Sequence, residues 1–458
     1  HTVGIEEVLS EAVRIVTPSP EERARVINTA NEVVKLLING LSRLGYRDFN
    51  VTIQGSIAKD TWLPGDRDID IFIILPRDYI DKIRDGSITN DLISIAVENN
   101  INWNIRYAQH PYVQLLINEF EIDVVPCIRI SPGEKPLTAA DRTPLHTEFV
   151  NGRLGHRTTD VRLLKAFFKS VGVYGAEIKV QGFSGYVSEL LVIYYGSFLN
   201  TIKAISNWST KHVFIDMTNT YNEREAIKRF KSPVIIIDPV DPSRNAAASI
   251  SREVLATVIA ASREFLRNPR VEFFMRAHKA VRPTWVLPTV IMRMPYPGNT
   301  SPDVVWGEIR RLMSSLSKNL RKLDFEVIRS MAWSDDKSTI LLMITLNELE
   351  LPPYELHEGP PVNSDAAEGF IKKYVNDSSV IGPFIRGSRW FVIRRRRFYD
   401  VVDAIKYLAS TVSLKHLRAS LSNALYVKVR SVNDLNNFEH DERTVIEEFL
   451  WSRPWWLG

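Results

Sequence analysis

The sequence contains a single cysteine, Cys127, in 458 residues. One cysteine excludes an internal disulfide and any metal or iron–sulfur site that needs several thiolates. The simplest expectation is a reducing, cytoplasmic setting. The sequence also lacks an uninterrupted run of about 18 apolar residues, so we expect no transmembrane helix and no membrane partner.

The whole chain has no large excess of charge of one sign, since it holds 58 basic and 54 acidic side chains. Apolar residues make up 45% and charged residues 24%, which argues against a disordered or collagen-like chain. The length exceeds one ordinary core and fits roughly three domains of about 150 residues each. We predict a first domain at 1–150, a mainly helical domain at 151–270 and a third domain at 271–458.

Local patterns predict a mixed, multidomain α+β fold. In the first domain, Ser19-Pro20 is a typical helix start, with Ser at the N-cap and Pro at the first helical position. Strands are predicted at Phe49–Gln54, at Asp68–Leu75, and in a hairpin at 113–125.

The middle and last thirds differ in their predicted elements. Ser184 is predicted to cap one long helix running towards Trp208, and Ser251 another that ends near Asn268. A β-α-β-β order is predicted for the last third. Its elements are a strand at Trp285–Met294, a helix from Ser301-Pro302, two strands joined near Asp335-Asp336, and then a helix and a hairpin at Arg386-Gly387-Ser388.

Positive charge is concentrated locally in 380–430, which holds eleven Lys or Arg and only two acidic residues. This segment includes the run Arg394-Arg395-Arg396-Arg397, and aromatic residues precede the run. Such a stretch suits a polyanion-binding surface, or alternatively a charged strand edge that deters aggregation. On a strand, Arg395 and Arg397 would share one face and Arg394 and Arg396 the other.

Two carboxylates, Asp68 and Asp70, begin a strand that is otherwise Ile, Phe and Leu. Residues two apart on a strand point to the same side, so these like charges repel unless a cation lies between them. Hard oxygen ligands of this kind suit Mg²⁺. The alternative is a strand start with one solvent-facing acid and one capping acid.

Two further features favour the metal interpretation. Gly55-Ser56 lies upstream at a predicted strand-to-helix turn, where glycine allows close backbone approach and amides can hold phosphate. Asp123 lies in an apolar strand, where an acid is costly without a cation or hydrogen-bond partners. Three converging acids would form a two-metal centre.

These residues together resemble a known family. Gly55-Ser56, Asp68-x-Asp70 and Asp123 resemble the signature of the DNA polymerase β-like nucleotidyltransferase superfamily. The longer strings that follow are similar to the archaeal (class I) CCA-adding enzymes, which are tRNA nucleotidyltransferases. They are Gly55 to Leu63, Ile105 to Tyr112, Asp123 to Cys127, Asp141 to His146, Arg162 to Lys165, Tyr174 to Tyr186 and Asp238 to Asn245.

The resemblance implies a catalytic head at 1–150, a helical neck and body at 151–270 and a tRNA-binding tail at 271–458. It implies that Asp68, Asp70 and Asp123 are catalytic residues and ligands of two Mg²⁺ ions. The implied substrates are CTP, ATP and the acceptor arm of tRNA. A homodimer is left open.

The same resemblance implies nucleotide-binding roles. Gly55, Ser56 and Lys59 would hold the triphosphate, and relatives usually carry Arg at the position of Lys59. His146, Lys165 and Tyr174 would hold the sugar and phosphates, and Arg244 would read the base. Read singly, each side chain has an ordinary structural explanation, such as a solvated helix face for Lys165.

Two other functions remain open at this stage. A poly(A) polymerase or an oligoadenylate synthetase can share the same catalytic head. An inactive RNA-binding relative is a third possibility, although all three carboxylates are present. Residues Arg395 and Arg397 are candidate tRNA contacts.

Overall fold

The computed structural model describes residues 4–275 and 283–458 of the chain. The chain divides into two units, of which the first is His1–His278 with Trp455–Gly458 and the second is Lys279–Pro454. The predicted α+β class is confirmed, since both units combine helices with β-sheets. No helix among the described residues is long and apolar enough to cross a membrane.

The first unit begins with two helices, followed by a region that alternates strands and helices. Its elements up to residue 128 are α1 (Ile5–Val16), α2 (Pro20–Arg43), β1 (Asn50–Gln54), α3 (Gly55–Lys59), β2 (Asp68–Leu75), α4 (Ile80–Arg84), α5 (Ser87–Glu98), β3 (Asn102–Arg106), β4 (Tyr112–Ile117) and β5 (Phe120–Ile128). The predicted capping of α2 is confirmed, because the Ser19 hydroxyl accepts a hydrogen bond from the Glu22 amide at 3.1 Å.

Strands β1 to β5 form one sheet in the order β1-β2-β5-β4-β3. Strands β2 and β5 are parallel, and the other neighbouring pairs are antiparallel. One face is covered by α2 and α5, where Leu37 and Leu92 pack with Ile69, Ile71 and Ile73. Full burial of each such side chain stabilises the fold by about 1.5–3 kcal/mol. The alternate residues of β2, which include Asp68 and Asp70, therefore lie on the opposite face.

The rest of the first unit is mainly helical. Its elements are α6 (Thr143–Leu154), α7 (Thr158–Ser170), α8 (Gly185–Tyr195), α9 (Phe198–Ser206), β6 (Val213–Ile215), α10 (Glu223–Phe230), β7 (Val234–Asp238), β8 (Asp241–Asn245) and α11 (Arg252–Arg267). Its core is rich in aromatic rings, with Phe167 in contact with Phe198, Phe265 and Phe273. Trp456 is buried in the same core, and the Trp455 indole donates to the Ser170 carbonyl at 2.8 Å.

The single helix predicted from Ser184 towards Trp208 is wrong, because the structure has two helices there. Helix α8 ends at Tyr195 and is capped by Gly196, whose φ of 96° lies in the left-handed region that favours glycine. Ser197 then caps α9 by accepting a hydrogen bond from the Asn200 amide at 3.0 Å. The predicted caps at Ser184 and Ser251 are both present.

The second unit contains two separate sheets. Its elements are β9 (Thr289–Pro295), α12 (Pro302–Lys322), β10 (Val327–Ser334), β11 (Thr339–Leu346), β12 (Tyr354–Pro361), α13 (Ala366–Tyr374), β13 (Ile381–Arg386), β14 (Arg389–Arg395), α14 (Val401–Ser410), α15 (Arg418–Ser422), β15 (Leu425–Val429) and α16 (His440–Trp451). One sheet has the order β10-β11-β9-β15 and the other β12-β14-β13.

The start of one strand and the order of two elements in the second unit differ from prediction. The strand predicted at Trp285–Met294 begins only at Thr289, after Pro288, which has no N–H for the ladder. The sequence predicts a helix as the next element after the two strands joined near Asp335-Asp336, but β12 comes first and α13 follows it. Strand β12 lies at a sheet edge, where its prolines are tolerated.

The arginine run does not continue as a strand to its end. Strand β14 stops at Arg395, so the prediction that Arg397 shares a strand face with Arg395 is wrong. Arg394 is paired with Glu355 at 3.1 Å, and Arg396 with Asp324 at 2.6 Å. Arg397 lies 4.1 Å from the centre of the Tyr407 ring. Arg395 is exposed and donates to the Tyr399 hydroxyl at 3.2 Å.

Candidate active site

The three predicted carboxylates lie on two neighbouring strands near the middle of the first sheet. Asp70 on β2 is the register partner of Asp123 on the parallel strand β5. Asp68 is the register partner of Glu121, and both lie two residues nearer the start of their strands. Partners across neighbouring strands point to the same side of a sheet. The structure therefore brings Asp68, Asp70 and Asp123 together on the face opposite α2 and α5.

The electrostatics of this group reflect crowding of like charges. Burial raises the pKa of Asp70 to about 7, and the charges of Asp123 and Asp68 act in the same direction. Burial also raises the pKa of Asp68, with further contributions from Glu121 and Asp123. Burial raises the pKa of Asp123, although a hydrogen bond from Gln114 opposes that shift. A bound cation would relieve this mutual repulsion.

The strand-to-helix turn at Gly55 lies very close to the Asp70 carboxylate. Gly55 has a φ of 66°, and a Cβ at this position would overlap the Asp70 carboxylate. Only glycine therefore suits both the backbone and the space. Ser56 follows in the first turn of α3, as the sequence predicts. Gln54, just before the turn, is buried, and its side-chain oxygen has no hydrogen-bond partner among the described residues.

These residues fit a divalent cation. Carboxylate oxygens are hard ligands, and the orphaned Gln54 oxygen lies on the strand position that pairs with Asp70. In the described residues, no group of three or more His, Cys, Asp or Glu side chains already has the spacing of a closed metal cluster. Repulsion among the carboxylates is a physical reason for that open spacing.

Two of the predicted cationic residues meet at a single buried carboxylate, Glu189 of α8. Lys59 Nζ lies 2.8 Å from Glu189 Oε1, and the Thr61 hydroxyl donates to Oε2 at 2.6 Å. Lys165 Nζ donates to that hydroxyl at 2.9 Å and lies 3.8 Å from Oε2. Burial raises the pKa of Glu189, but Lys165 and Lys59 outweigh it and hold the pKa below its ordinary value. Lys59 is thus turned into the protein, towards Glu189.

Tyr174 lies beside Lys165 at the start of α8. A Cβ at Gly185, the first residue of α8, would lie 3.0 Å from the Tyr174 hydroxyl and 3.5 Å from Lys165 Nζ. The absent side chain lets the Tyr174 hydroxyl and the Lys165 ammonium come close to this helix N-terminus, which carries partial positive charge. The two predicted phosphate contacts therefore share one location in the structure.

A second buried carboxylate, Asp238 at the end of β7, gathers two more predicted residues. Its Oδ2 lies 2.8 Å from His146 Nε2 and 3.0 Å from an Arg244 nitrogen. Its Oδ1 accepts from the Tyr186 hydroxyl at 2.9 Å and from the Val240 amide at 3.0 Å. The Tyr186 ring stacks on His146 at 3.9 Å. Burial lowers the pKa of His146, although Asp238 acts in the opposite direction. The lowered pKa favours a neutral ring.

Lys59 connects these groups electrostatically. Its Nζ lies 5.3 Å from the centre of the Tyr186 ring. Its charge lowers the pKa of Asp70 on the sheet and also that of His146. The carboxylates on the sheet and the Asp238 cluster therefore both lie within reach of the charge of Lys59.

A cavity of about 340 Å³ opens beside the carboxylates and includes residues that the sequence analysis did not single out. Its walls include Asp70, Asp123, His110 and Tyr112. Both residues lie in the string Ile105 to Tyr112 that resembles the family, but the sequence analysis gave neither of them a role. The signal that could have identified them is their position at or just before the start of β4, the strand that pairs with β5 beside Asp123.

An Asp-x-Asp strand in register with a third Asp, next to a Gly-Ser turn, defines a nucleotidyltransferase domain. Family models agree in order along the chain. Residues 34–146 match the nucleotidyltransferase domain, residues 159–275 match the second domain of tRNA nucleotidyltransferase, and residues 287–429 match the C-terminal domain of CCA-adding enzyme.

Relatives match over nearly the whole chain. A CCA-adding enzyme from Pyrobaculum islandicum is 46% identical over 403 residues, which cover 88% of this chain and 93% of the relative. One from Saccharolobus islandicus is 36% identical over 449 residues, covering 98% and 99% respectively. The chain belongs to the CCA-adding enzyme family. Membership implies nucleoside triphosphate substrates and the use of a divalent metal.

Proposed function

We propose that this protein completes and repairs the 3′-terminal CCA sequence of tRNA in the cytoplasm, using CTP and ATP and releasing pyrophosphate. The observation that carries this proposal is the register pairing of Asp70 with Asp123 beside Gly55-Ser56, in a chain of the CCA-adding enzyme family. The 3′ hydroxyl of the tRNA attacks the α-phosphate of the nucleotide, and the bond to pyrophosphate breaks. No nucleic-acid template takes part.

Asp68, Asp70 and Asp123 are proposed to hold two Mg²⁺ ions. When bound, such ions activate the attacking hydroxyl and neutralise charge on the triphosphate and leaving group. The side chains of the protein bring the reactants into line and keep the carboxylates on one face of the sheet. The cavity bounded by His110 and Tyr112 opens onto Asp70 and Asp123, which suits the acceptor end of the tRNA.

The nucleotide is proposed to lie between the sheet and the helical region. Ser56 and the Gly55 turn face the triphosphate. Lys59, which is buried beside Glu189, supplies positive charge without facing the triphosphate directly. Lys165 and Tyr174 hold phosphates at the start of α8. Burial favours a neutral ring for His146. One of its ring nitrogens contacts Asp238, and the other, which has no hydrogen bond among the described residues, is proposed to meet a sugar hydroxyl.

The test of this function uses a tRNA that lacks its CCA end, with Mg²⁺ and each nucleotide added in turn. We expect CTP to add two residues and ATP to add one only after them, with little incorporation of UTP or GTP. Continued addition of A alone would support a poly(A) polymerase or oligoadenylate synthetase. Tight tRNA binding without incorporation would support an inactive RNA-binding relative.

Arg244 is proposed to read the base, and its replacement gives a specific prediction. In Arg244→Ala, Asp238 keeps its contacts with His146, Tyr186 and the Val240 amide, so the site should stay folded. Hydrogen bonds to a charged group contribute about 1.5–3 kcal/mol, or roughly 10–100-fold in discrimination. We expect preference for CTP and ATP over UTP and GTP to fall by that factor, measured as kcat/KM for all four nucleotides.

The control for Arg244 is Arg142→Ala. Arg142 pairs with Asp241 at 2.8 Å in the same region but has no proposed contact with the base. Its replacement should leave the preference among nucleotides unchanged. An equal loss of kcat/KM for all four nucleotides in Arg244→Ala would show that Arg244 holds phosphate or structure instead.

Arg395 is the better candidate for tRNA contact within the arginine run, since Arg394 and Arg396 are engaged in ion pairs. Arg395→Ala should weaken tRNA binding and reduce the slope of log affinity against log salt by about 1. Arg397, also proposed to contact tRNA, should behave similarly in Arg397→Ala.

Arg394→Ala provides the matched comparison for the arginine run. It should lower the melting temperature, because Glu355 and the Tyr374 hydroxyl lose a partner. It should leave the salt slope unchanged. Equal salt slopes in Arg395→Ala, Arg394→Ala and the wild type would place the RNA surface elsewhere.

A further inference from the structure

A row of polar side chains crosses all the strands of the first sheet at the level of the carboxylates. Register pairs join Gln54 to Asp70, Asp70 to Asp123, Asp123 to Gln114 and Gln114 to Asn104. Paired residues on neighbouring strands face the same side. The two acidic residues in the centre are therefore flanked by two amides, and Gln54 and Gln114 are both buried.

The Gln114 amide has a fixed orientation. Its Nε2 donates to Asp123 Oδ1 at 2.9 Å, while its Oε1 accepts from two Arg106 nitrogens at 3.3 and 3.1 Å. A guanidinium has donors only, so the amide oxygen must face Arg106. The amide nitrogen is then forced to face Asp123. Arg106 thereby sets the direction of Gln114 although it forms no hydrogen bond to Asp123 in the described structure.

We propose that Gln114, oriented by Arg106, is a positioning residue of the metal site. By holding Oδ1 of Asp123, it fixes the rotation of that carboxylate and leaves Oδ2 for the metal. Among the described residues, no hydrogen bond to Asp123 Oδ2 is present. This inference rests on the proposed function. It adds a chain of hydrogen bonds, from Arg106 through Gln114 to Asp123, that orients one metal ligand.

The two flanks of the row are not equivalent. Gln54 donates to the Thr52 hydroxyl at 2.9 Å, and its oxygen is left without a partner among the described residues. Gln114, by contrast, uses both ends of its amide along the row. Outer partners that orient a metal ligand commonly change metal affinity or activity by about 10–100-fold when they are replaced. We expect an effect of this size from Gln114.

The test compares Gln114→Met, Arg106→Met, the double variant and Asn104→Ala. Methionine keeps the length of the side chain but offers no amide donor. Two quantities are measured on the full chain: Mn²⁺ affinity by electron paramagnetic resonance, and kcat and KM for CTP on a truncated tRNA. Gln114→Met should weaken Mn²⁺ binding by about 10–100-fold and lower kcat as well, with a smaller change in the KM for CTP.

The double variant tests whether Arg106 acts through Gln114. If it does, Arg106→Met should add nothing once Gln114 is Met, so the two losses will not be additive. Asn104 lies at the exposed end of the row, and Asn104→Ala should match the wild type in both measurements. If the losses of Gln114→Met and Arg106→Met add up in the double variant, the claim that Arg106 acts through Gln114 is overturned.

A purely structural role has a different signature. It would lower the melting temperature of Gln114→Met while leaving Mn²⁺ affinity within about twofold of the wild type, and that result overturns the inference. Failure of the proposed function is seen separately, as a wild-type protein that does not extend truncated tRNA with CTP. The Mn²⁺ measurement remains decisive for Gln114 in that case, because it does not depend on tRNA.

Discussion

Asp70→Asn should abolish incorporation of CTP and ATP alike while raising the melting temperature of the metal-free protein. Asparagine keeps the shape of the side chain beside Gly55 but removes a charge that faces Asp123. Loss of a group that stabilises transition-state charge lowers the rate by about 100–1,000-fold or more. Burial and the neighbouring charges of Asp123 and Asp68 raise the pKa of Asp70, and each unit of such a rise costs the folded protein about 1.4 kcal/mol when the side chain is charged.

These opposite effects on activity and stability are measured by single-turnover incorporation and by thermal unfolding in a chelator. Asp81→Asn makes the same chemical change at an exposed position of α4 and should alter neither quantity. Incorporation by Asp70→Asn within tenfold of the wild type would show that this carboxylate is not a metal ligand. A fall in melting temperature would show that Asp70 stabilises the fold.

Glu189→Gln should produce the largest loss of stability. The substitution leaves Lys59 and Lys165 buried without a counter-charge, although hydrogen bonding to Thr61 remains possible. Breaking a buried pair by removing one partner typically lowers the free energy of unfolding by about 3–5 kcal/mol. We expect a loss of that size in urea unfolding. The KM for CTP should rise as well, because both lysines lose the group that holds them.

Two comparisons identify the cause of the Glu189 effect. Glu119→Gln removes a carboxylate whose pair with Arg25, at 3.1 Å, is exposed on both sides, and its effect should stay below about 1 kcal/mol. Adding Lys165→Met to Glu189→Gln removes one of the stranded charges and should recover part of the stability. If the double variant is less stable than Glu189→Gln, packing around Lys165 matters more than its charge.

The sequence predicted those parts of the fold that depend on short stretches of chain. Ser19, Ser184 and Ser251 predicted helix starts, because an N-cap needs only a side-chain oxygen near the following amides. The alternation in Asp68–Leu75 predicted a strand with both acids on one face. The α8–α9 break was missed although Gly196-Ser197 was visible, since the apolar pattern continues across it.

The rest depended on which strands become neighbours. The role of Gln114 is visible only once β4 pairs with β5 and places it opposite Asp123. Glu189 likewise meets Lys59 across 130 positions of sequence, and no local pattern encodes that contact. Arg397 was placed on a strand because nothing local marks the end of β14 after Arg395. The resemblance to a family supplied candidate residues, while the contacts that orient them required the fold.

The return of Trp455 and Trp456 to the first unit has a consequence for how the protein is made. Trp456 belongs to the same core as Phe167, yet it is translated after the whole of Lys279–Pro454. During synthesis, the nascent catalytic unit therefore leaves the ribosome with one part of its core still missing. Its packing is completed only after the second unit has emerged, so a chain that is cut short within the second unit has a catalytic unit without this tryptophan.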